Sequence, residues 1–379
     1  MKPLEHYIEV GQQRLRCGCT TGTCAAAAAR AAATLLLTGT APGAVLVDTP
    51  AGLTVEVEVE ASQLHTDEAV CAVTKDAGDD PDVTDGLHIV AAVRRDPSGF
   101  SVHGGDGVGR VTRPGLDQPP GAAAINSVPR RMILEQLRIA AGEAGYAGGL
   151  SATISVPEGA RVAAKTFNPR LGIVGGVSIL GTTGLVRPMS EEALIASIHA
   201  ELNLHKSEGE TDLLLTPGSY GAAFCRDVLR LETERAVQCS NYIGAALDHA
   251  ALLGYRSVLL VGHAGKLIKV AAGVMNTHSR AADARLETLA AHAALSGADR
   301  SLVRSVMDSA TTDAALDCLL CADLLRPTMD SLTAALEERL RSRGGEGLQV
   351  EAILFNHRHG LLGRTRGADV LLARHRKER

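Results

Sequence analysis

Four side chains in one stretch of the sequence are suited to proton handling or anion contact. They are His263, Lys266, His278 and Asp283, all within "GHAGKLIKVAAGVMNTHSRAADAR". The stretch is expected to open a helix at Ala264 or Gly265, so unpaired backbone N–H groups face whatever lies beyond the preceding strand. His263 stands just before that N-terminus, where the helix dipole disfavours its protonated form and suits a neutral base or hydrogen-bond partner. A structural hydrogen bond is the alternative for any single histidine; the company of Lys266 and "NTHSR" points toward function. A second helix start is expected in "RCGCTTGTCAAAAARAA" (residues 16–32), with Thr23 as N-cap and Thr38-Gly39 as the stop. There Thr20, Thr21, Gly22 and Thr23 are expected to surround the positive helix end with hydroxyls and free N–H groups, a turn fit to cradle an anion.

Ligands in open α/β sheets gather beyond the carboxyl ends of the strands. Five loops that follow expected strands are Gly175–Gly184, Thr216–Gly221, Cys239–Gly244, Gly262–Lys266 and Asn356–Gly360. Each pairs glycine with a small polar or basic residue, as close backbone approach to a ligand requires. From them Gly175, Gly176, Gly181, Thr182, Thr183, Pro217, Gly218, Ser219, Tyr220, Asn241, Gly262, Gly265 and Lys266 are the candidates for contacting a ligand in the crevice they form. No nucleotide motif survives inspection. "GVSILGTT" carries Thr182 where a phosphate loop has lysine, "GHAGK" has Leu267 in place of the magnesium-binding hydroxyl, and "GGDGVG" misses the dinucleotide spacing.

Metal chemistry is not expected. Cys17, Cys19 and Cys24 crowd together without a fourth ligand of recognised spacing, and Cys318 and Cys321 sit in an apolar helical stretch, where cysteines act as small hydrophobes. "KDAGDDPDVTDG" (residues 75–86) fails as a calcium loop at Gly78. A turn-rich acidic loop explains it, with Asp76 or Asp79 facing a substrate as the alternative.

The elements that must position these residues read differently in the two halves. From Leu46 to about Ser155 short alternating stretches such as "LTVEVEVE" and "HIVAAVRR" surround two helices, Cys24–Leu37 and Pro129–Glu143. That is an α+β pattern with antiparallel pairing. From about Thr166 apolar strands ("LGIVGG", "TDLLLTPG", "AVQCSN", "SVLLVGHAG", "VEAILFNHRHG") alternate with helical stretches, which argues for a mainly parallel sheet with helices on both faces. The expected domains are thus 1–165, α+β, and 166–379, α/β. A length of 379 residues with 45% hydrophobic and 21% charged residues fits a folded two-domain protein. A net charge of −5 and the scarcity of aromatic residues give no basis for nucleic-acid binding. No stretch reaches the roughly 20 apolar residues of a membrane span, and no secretory h-region opens the chain. A cytoplasmic protein with reduced cysteines is expected.

In "TTGTCAAAAARAA", "VTKDAGDDPDVTDG", "GDGVGRVTRPGL", "NPRLGIVGGVSILGTTGLVRPMS", "TPGSYG", "CSNYIG" and "LLVGHAGKLIKVAAGVMNTHSR" the sequence resembles the cobalt-precorrin-5B C(1)-methyltransferases (CbiD) of anaerobic cobalamin biosynthesis. The markers occur in this order along nearly the whole chain. Departures from the family's pattern are Cys19 in place of an aromatic residue, Ser127 in place of a proline and Ala264 in place of a larger aliphatic residue; none removes a candidate acid, base or glycine. The resemblance implies methyl transfer from S-adenosylmethionine to C-1 of a cobalt-bearing tetrapyrrole, giving cobalt-precorrin-6A, with cobalt present only as part of the substrate. It also implies a first domain like that of certain ribosomal proteins and small-molecule kinases, and a second that is an α/β sandwich. Catalysis would be mainly positioning. His263, His278 and Asp76 are the candidate proton acceptors, and Thr20, Thr21, Gly22, Thr23, Arg110 and Arg113 the candidates for substrate carboxylates. A non-catalytic tetrapyrrole carrier is the rival reading, and self-association into a homo-oligomer stays open.

Overall fold

The computed structural model describes residues 4–376. It is a mixed α/β protein with both parallel and antiparallel strand pairing, and it divides into two compact units, the first ending at Glu191 and the second beginning at Glu192.

In the first unit five strands lie in the order Ala61–Leu64, Glu68–Thr74, His88–Asp96, Gly149–Ser155 and Ser101–Gly104. All neighbours are antiparallel except the last pair. Alternate residues point to one face: Cys71, Val73, Ile89, Ala91, Val93, Leu150, Ala152 and Ile154 are fully buried. That face packs in one core with the helices Thr21–Thr38 and Ser127–Glu143. The first helix is built largely of alanine, whose small side chains let its axis approach its neighbours closely, and its residues from Cys24 to Ala29 are essentially inaccessible. "LTVEVEVE" forms the strand Thr54–Glu58, with Val55 and Val57 buried, paired to Ala44–Asp48. The strand Glu68–Thr74 is an addition to the sequence reading. Both of its faces carry small or apolar residues ("EAVCAVT"), so no polar phase marks it.

The expected boundary near Lys165 moves to residue 191. Residues 166–191 are tied back into the first unit: Ile173–Val174 pairs with Arg110–Val111, and Leu185–Val186 pairs with Gly18–Cys19. Val177 and Ile179 bridge to Val108 and Ile125. "LGIVGG" therefore supplies two strand residues to the first unit and does not open the second.

The second unit has the strand order Val237–Gln238, Asp212–Thr216, Ser257–His263, Gln349–Asn356 and Gly360–Arg364. The first four are parallel, and the last folds back as an antiparallel edge. Period-two alternation divides the strands between two cores. Leu213, Leu215, Val258, Leu260, Ala352 and Leu354 join the core that includes the helices Ile243–Leu252, Ala264–Ala271 and Leu325–Gly344. Leu214, Leu259, Val261, Ile353 and Phe355 join the other, with Ser219–Asp227 and Ala368–Arg374. This is the helix-covered, mainly parallel sheet expected from the alternation. Further helices follow at Arg285–Leu295, Arg300–Met307 and Thr312–Cys321. Among the described residues no helix is long and apolar enough to cross a membrane.

Candidate functional site

Because four strands of the second unit run parallel, the segments after Thr216, Gln238, His263 and Asn356 all emerge at one end of the sheet. The helices Ser219–Asp227, Ile243–Leu252 and Ala264–Ala271 begin there, so three N-terminal sets of N–H groups meet at that end. Gly218, at φ 121° and ψ −174°, adopts a backbone conformation open to glycine and turns the chain into the first of these helices. Lys266 ties two loops together: its Nζ donates to the Pro217 carbonyl at 2.7 Å and to the Ser240 carbonyl at 3.1 Å. Burial lowers its proton affinity, partly offset by the neighbouring Cys239 thiol. An ammonium carries three donors, and two are spent. The third is available to an anionic ligand.

His263 caps the helix it precedes. Its Nδ1 accepts the Gly265 N–H at 3.2 Å, which assigns the ring proton of the neutral form to Nε2. The amide nitrogen of Asn356 lies 3.4 Å from that Nε2 and donates to Asp313 Oδ1 at 2.8 Å. Burial, and then the adjacent His357, hold the pKa of His263 below the usual histidine value, with Asp313 opposing. His278 repeats the pattern, its Nδ1 accepting the Arg280 N–H at 3.1 Å. Neither histidine therefore has a lone pair free to receive a proton without giving up a backbone bond. Both are poorly placed for the general-base role expected from the sequence. Asn241 joins the two regions, accepting the Thr277 N–H at 2.9 Å. Lys269, 3% exposed, fixes the segment beyond by donating to the carbonyls of Thr277 and Ala282.

Pro217, Gly218, Ser219, Tyr220, Asn241, Gly262, Gly265 and Lys266 are thus gathered where the sequence placed them. Gly175, Gly176, Gly181, Thr182 and Thr183 are not. They lie in the first unit, where Gly176 packs on Gly107 and Val108 and Gly181 on Thr20. A Cβ on Gly176 would meet the Gly107 carbonyl oxygen at 2.1 Å, and one on Gly181 the Thr20 hydroxyl at 2.2 Å.

That packing also changes the reading of Thr20–Thr23. The N-cap is Thr20, not Thr23: its Oγ1 accepts the Thr23 N–H at 3.2 Å. The Thr23 hydroxyl donates to the Gly184 carbonyl at 2.6 Å, the Gly22 N–H to the Leu180 carbonyl at 3.0 Å, and the Thr21 hydroxyl lies within bonding distance of the Ser178 and Leu180 carbonyls. All three threonines are buried. The turn grips the 178–184 segment, and these donors are not free for an anion as expected.

The remaining candidates are engaged locally. Asp76 forms a two-pronged pair with Arg16 at 2.5 and 2.8 Å and accepts the Gly78 N–H. The guanidinium holds its carboxyl below the ordinary range, a poor setting for accepting a proton near neutrality. Asp79 accepts the Arg16 N–H, Asp82 the Lys75 ammonium and Asp85 the Ala77 N–H, so the acidic loop satisfies its own turns. Arg110 donates to the Gly121 carbonyl and Arg113 to that of Arg170. Cys17, Cys19 and Cys24 are buried, and burial raises each thiol, that of Cys19 to about 11.

Asn356 and His357 lie in one of the five loops expected from sequence but were not chosen as candidate residues from it, and Asp313 was not singled out at all. Asn356, 1% exposed, accepts the N–H groups of Arg358 and His359 through Oδ1 while its amide binds Asp313. The signal for Asn356 and His357 was an asparagine ending an apolar strand ahead of two histidines. Asp313 sits on a separate helix without any local pattern.

A family model described as CbiD matches residues 8–188, and one described as CbiD, C-terminal domain, matches residues 276–366. A protein of Ruminiclostridium cellulolyticum named cobalt-precorrin-5B C(1)-methyltransferase is 44% identical, covering 93% of this chain and 92% of its own. One of the same name from Thermoanaerobacter sp. (strain X514) is 46% identical over 96% and 98%. A solved cobalamin biosynthesis protein (cbiD) from Archaeoglobus fulgidus is 33% identical, covering 72% of this chain and 86% of that one, with a TM-score of 0.41.

Proposed function

The chain belongs to the CbiD family, and from that membership we propose that it transfers a methyl group to C-1 of cobalt-precorrin-5B. We take the donor to be S-adenosylmethionine and the product to be cobalt-precorrin-6A, in anaerobic cobalamin biosynthesis. The observation that carries the proposal is the likeness to relatives bearing that activity's name over more than nine-tenths of the chain. The carrier reading has no such support.

The carboxyl end of the second unit's sheet suits the donor's amino-acid part. Helix N-termini and the third proton of Lys266 favour a carboxylate, and Gly218 and Gly265 leave the backbone open around it. Nε2–H of His278 serves as a donor to the bound molecules. In the first unit Arg110, exposed and with one of its five N–H donors on Gly121, is the residue we propose for a substrate carboxylate. Methyl transfer is an in-line displacement, so the protein's task is to hold the methyl against the ring carbon and exclude water.

Purified protein incubated with cobalt-precorrin-5B and S-adenosylmethionine should yield a product heavier by one methyl in place of one hydrogen. Binding of both molecules without that mass change would favour the carrier.

A further inference from the structure

We propose that His357 is the catalytic residue that takes up the proton released when the macrocycle is methylated. The inference rests on the methyltransferase reading above and adds a residue to it. When the new carbon–carbon bond forms, an electron pair of the macrocycle makes it and the carbon–sulfur pair stays on sulfur. The positive charge that was on sulfur is then on the macrocycle, and loss of one proton from the macrocycle discharges it. That proton needs a lone pair at the site.

The other imidazoles at this end of the sheet are engaged: His263 and His278 each use Nδ1 to accept a backbone N–H, and the ring of His359 lies against Asp317. His357 is built the opposite way. Its side chain is exposed and forms no hydrogen bond among the described residues, while its backbone lies in a fixed turn. Asn356, buried just before it, accepts the next two N–H groups through one oxygen. Beyond the turn Arg358 and His359 both reach Asp317, at 2.6 and 3.2 Å. The ring stands 5.3 Å from that of His263 and edge-on to Tyr220 at 4.7 Å, with Phe355 at 5.8 Å. The groups facing it are thus a neutral capping histidine, a phenol and a phenyl ring, with the Arg358–Asp317 pair beside it. An imidazole packed edge-on to Tyr220, with neither ring nitrogen engaged among the described residues, keeps a lone pair open to a proton.

The test compares wild type, His357→Ala, His357→Asn and His263→Ala. It uses cobalt-precorrin-5B and S-adenosylmethionine, measuring kcat/KM against pH, with S-adenosylhomocysteine binding by calorimetry. Both His357 variants should lose about 100-fold to 10,000-fold in turnover. They should bind S-adenosylhomocysteine as wild type does, lose the acid limb of the profile, and regain part of the rate with added imidazole. Turnover within threefold of wild type, or an acid limb that persists in them and vanishes in His263→Ala, overturns the assignment while leaving the methyltransferase reading intact. A wild-type protein that adds no methyl removes that reading and the assignment with it.

Discussion

Asn356→Asp tests the hub at the carboxyl end of the second unit's sheet. The Asn356 amide nitrogen sits 2.8 Å from Asp313 Oδ1, so aspartate there would set two carboxylates in contact while still accepting the N–H groups of Arg358 and His359. Two unit charges 4 Å apart at an effective dielectric of 20 repel by about 4 kcal/mol. Protonating one relieves this, at about 1.4 kcal/mol per pH unit above its ordinary pKa of about 3.9. That is about 5.6 kcal/mol at pH 8 but about 1.5 kcal/mol at pH 5. The pair thus stays charged at pH 8, costing about 4 kcal/mol, and shares a proton at pH 5, where the cost falls to about 1.5 kcal/mol. The folded pair holds its proton more tightly than the unfolded chain, so stability recovers as pH falls. Asn356→Ala, which loses the same donor without adding charge, should lack this recovery. Urea unfolding followed by circular dichroism at the two pH values measures it, the chain having no tryptophan. Equal pH dependence in the two variants would refute the Asn356–Asp313 contact.

Three further outcomes follow from the same geometry. Lys266→Met should weaken S-adenosylhomocysteine binding about tenfold in calorimetry, because it removes a cation and unties the Pro217 and Ser240 loops. Gly181→Ala should cost about 2 kcal/mol or more in urea unfolding, since φ is 139° and the new Cβ meets the Thr20 hydroxyl. In wild type, burial lowers the pKa of His249, His263, His292 and His375. Below about pH 6.5 the unfolded chain binds protons that the folded one does not, so stability should fall from there until the folded values are passed, as urea midpoints at pH 7.5 and 5.5 would show.

The sheet of the second unit was legible because the strands ending at Thr216, Gln238 and His263 are short and each is followed by a helix, a pattern contained within some 30 residues. The loops beyond Thr216, Gln238 and His263 inherit their common end of the sheet from that rhythm. What was not legible depended on partners far away in sequence. Gly175–Thr183 has the local look of a ligand loop, but its conformation is set by Thr20–Thr23, some 160 residues earlier, through the bonds to Leu180 and Gly184. The same bonds decide which of the threonines caps the helix. The tautomers of His263 and His278 were hidden for a different reason. Each follows from one backbone N–H two residues on, which constrains a proton that the sequence pattern leaves undefined.

The central claim is methylation at C-1, and a carbon-13 label in the donor's methyl group tests it most directly. With cobalt-precorrin-5B as acceptor, the magnetic resonance spectrum of the product should show the label as a methyl on the quaternary C-1. A label on any other carbon, or unlabelled substrate recovered from active-concentration protein, would contradict the account.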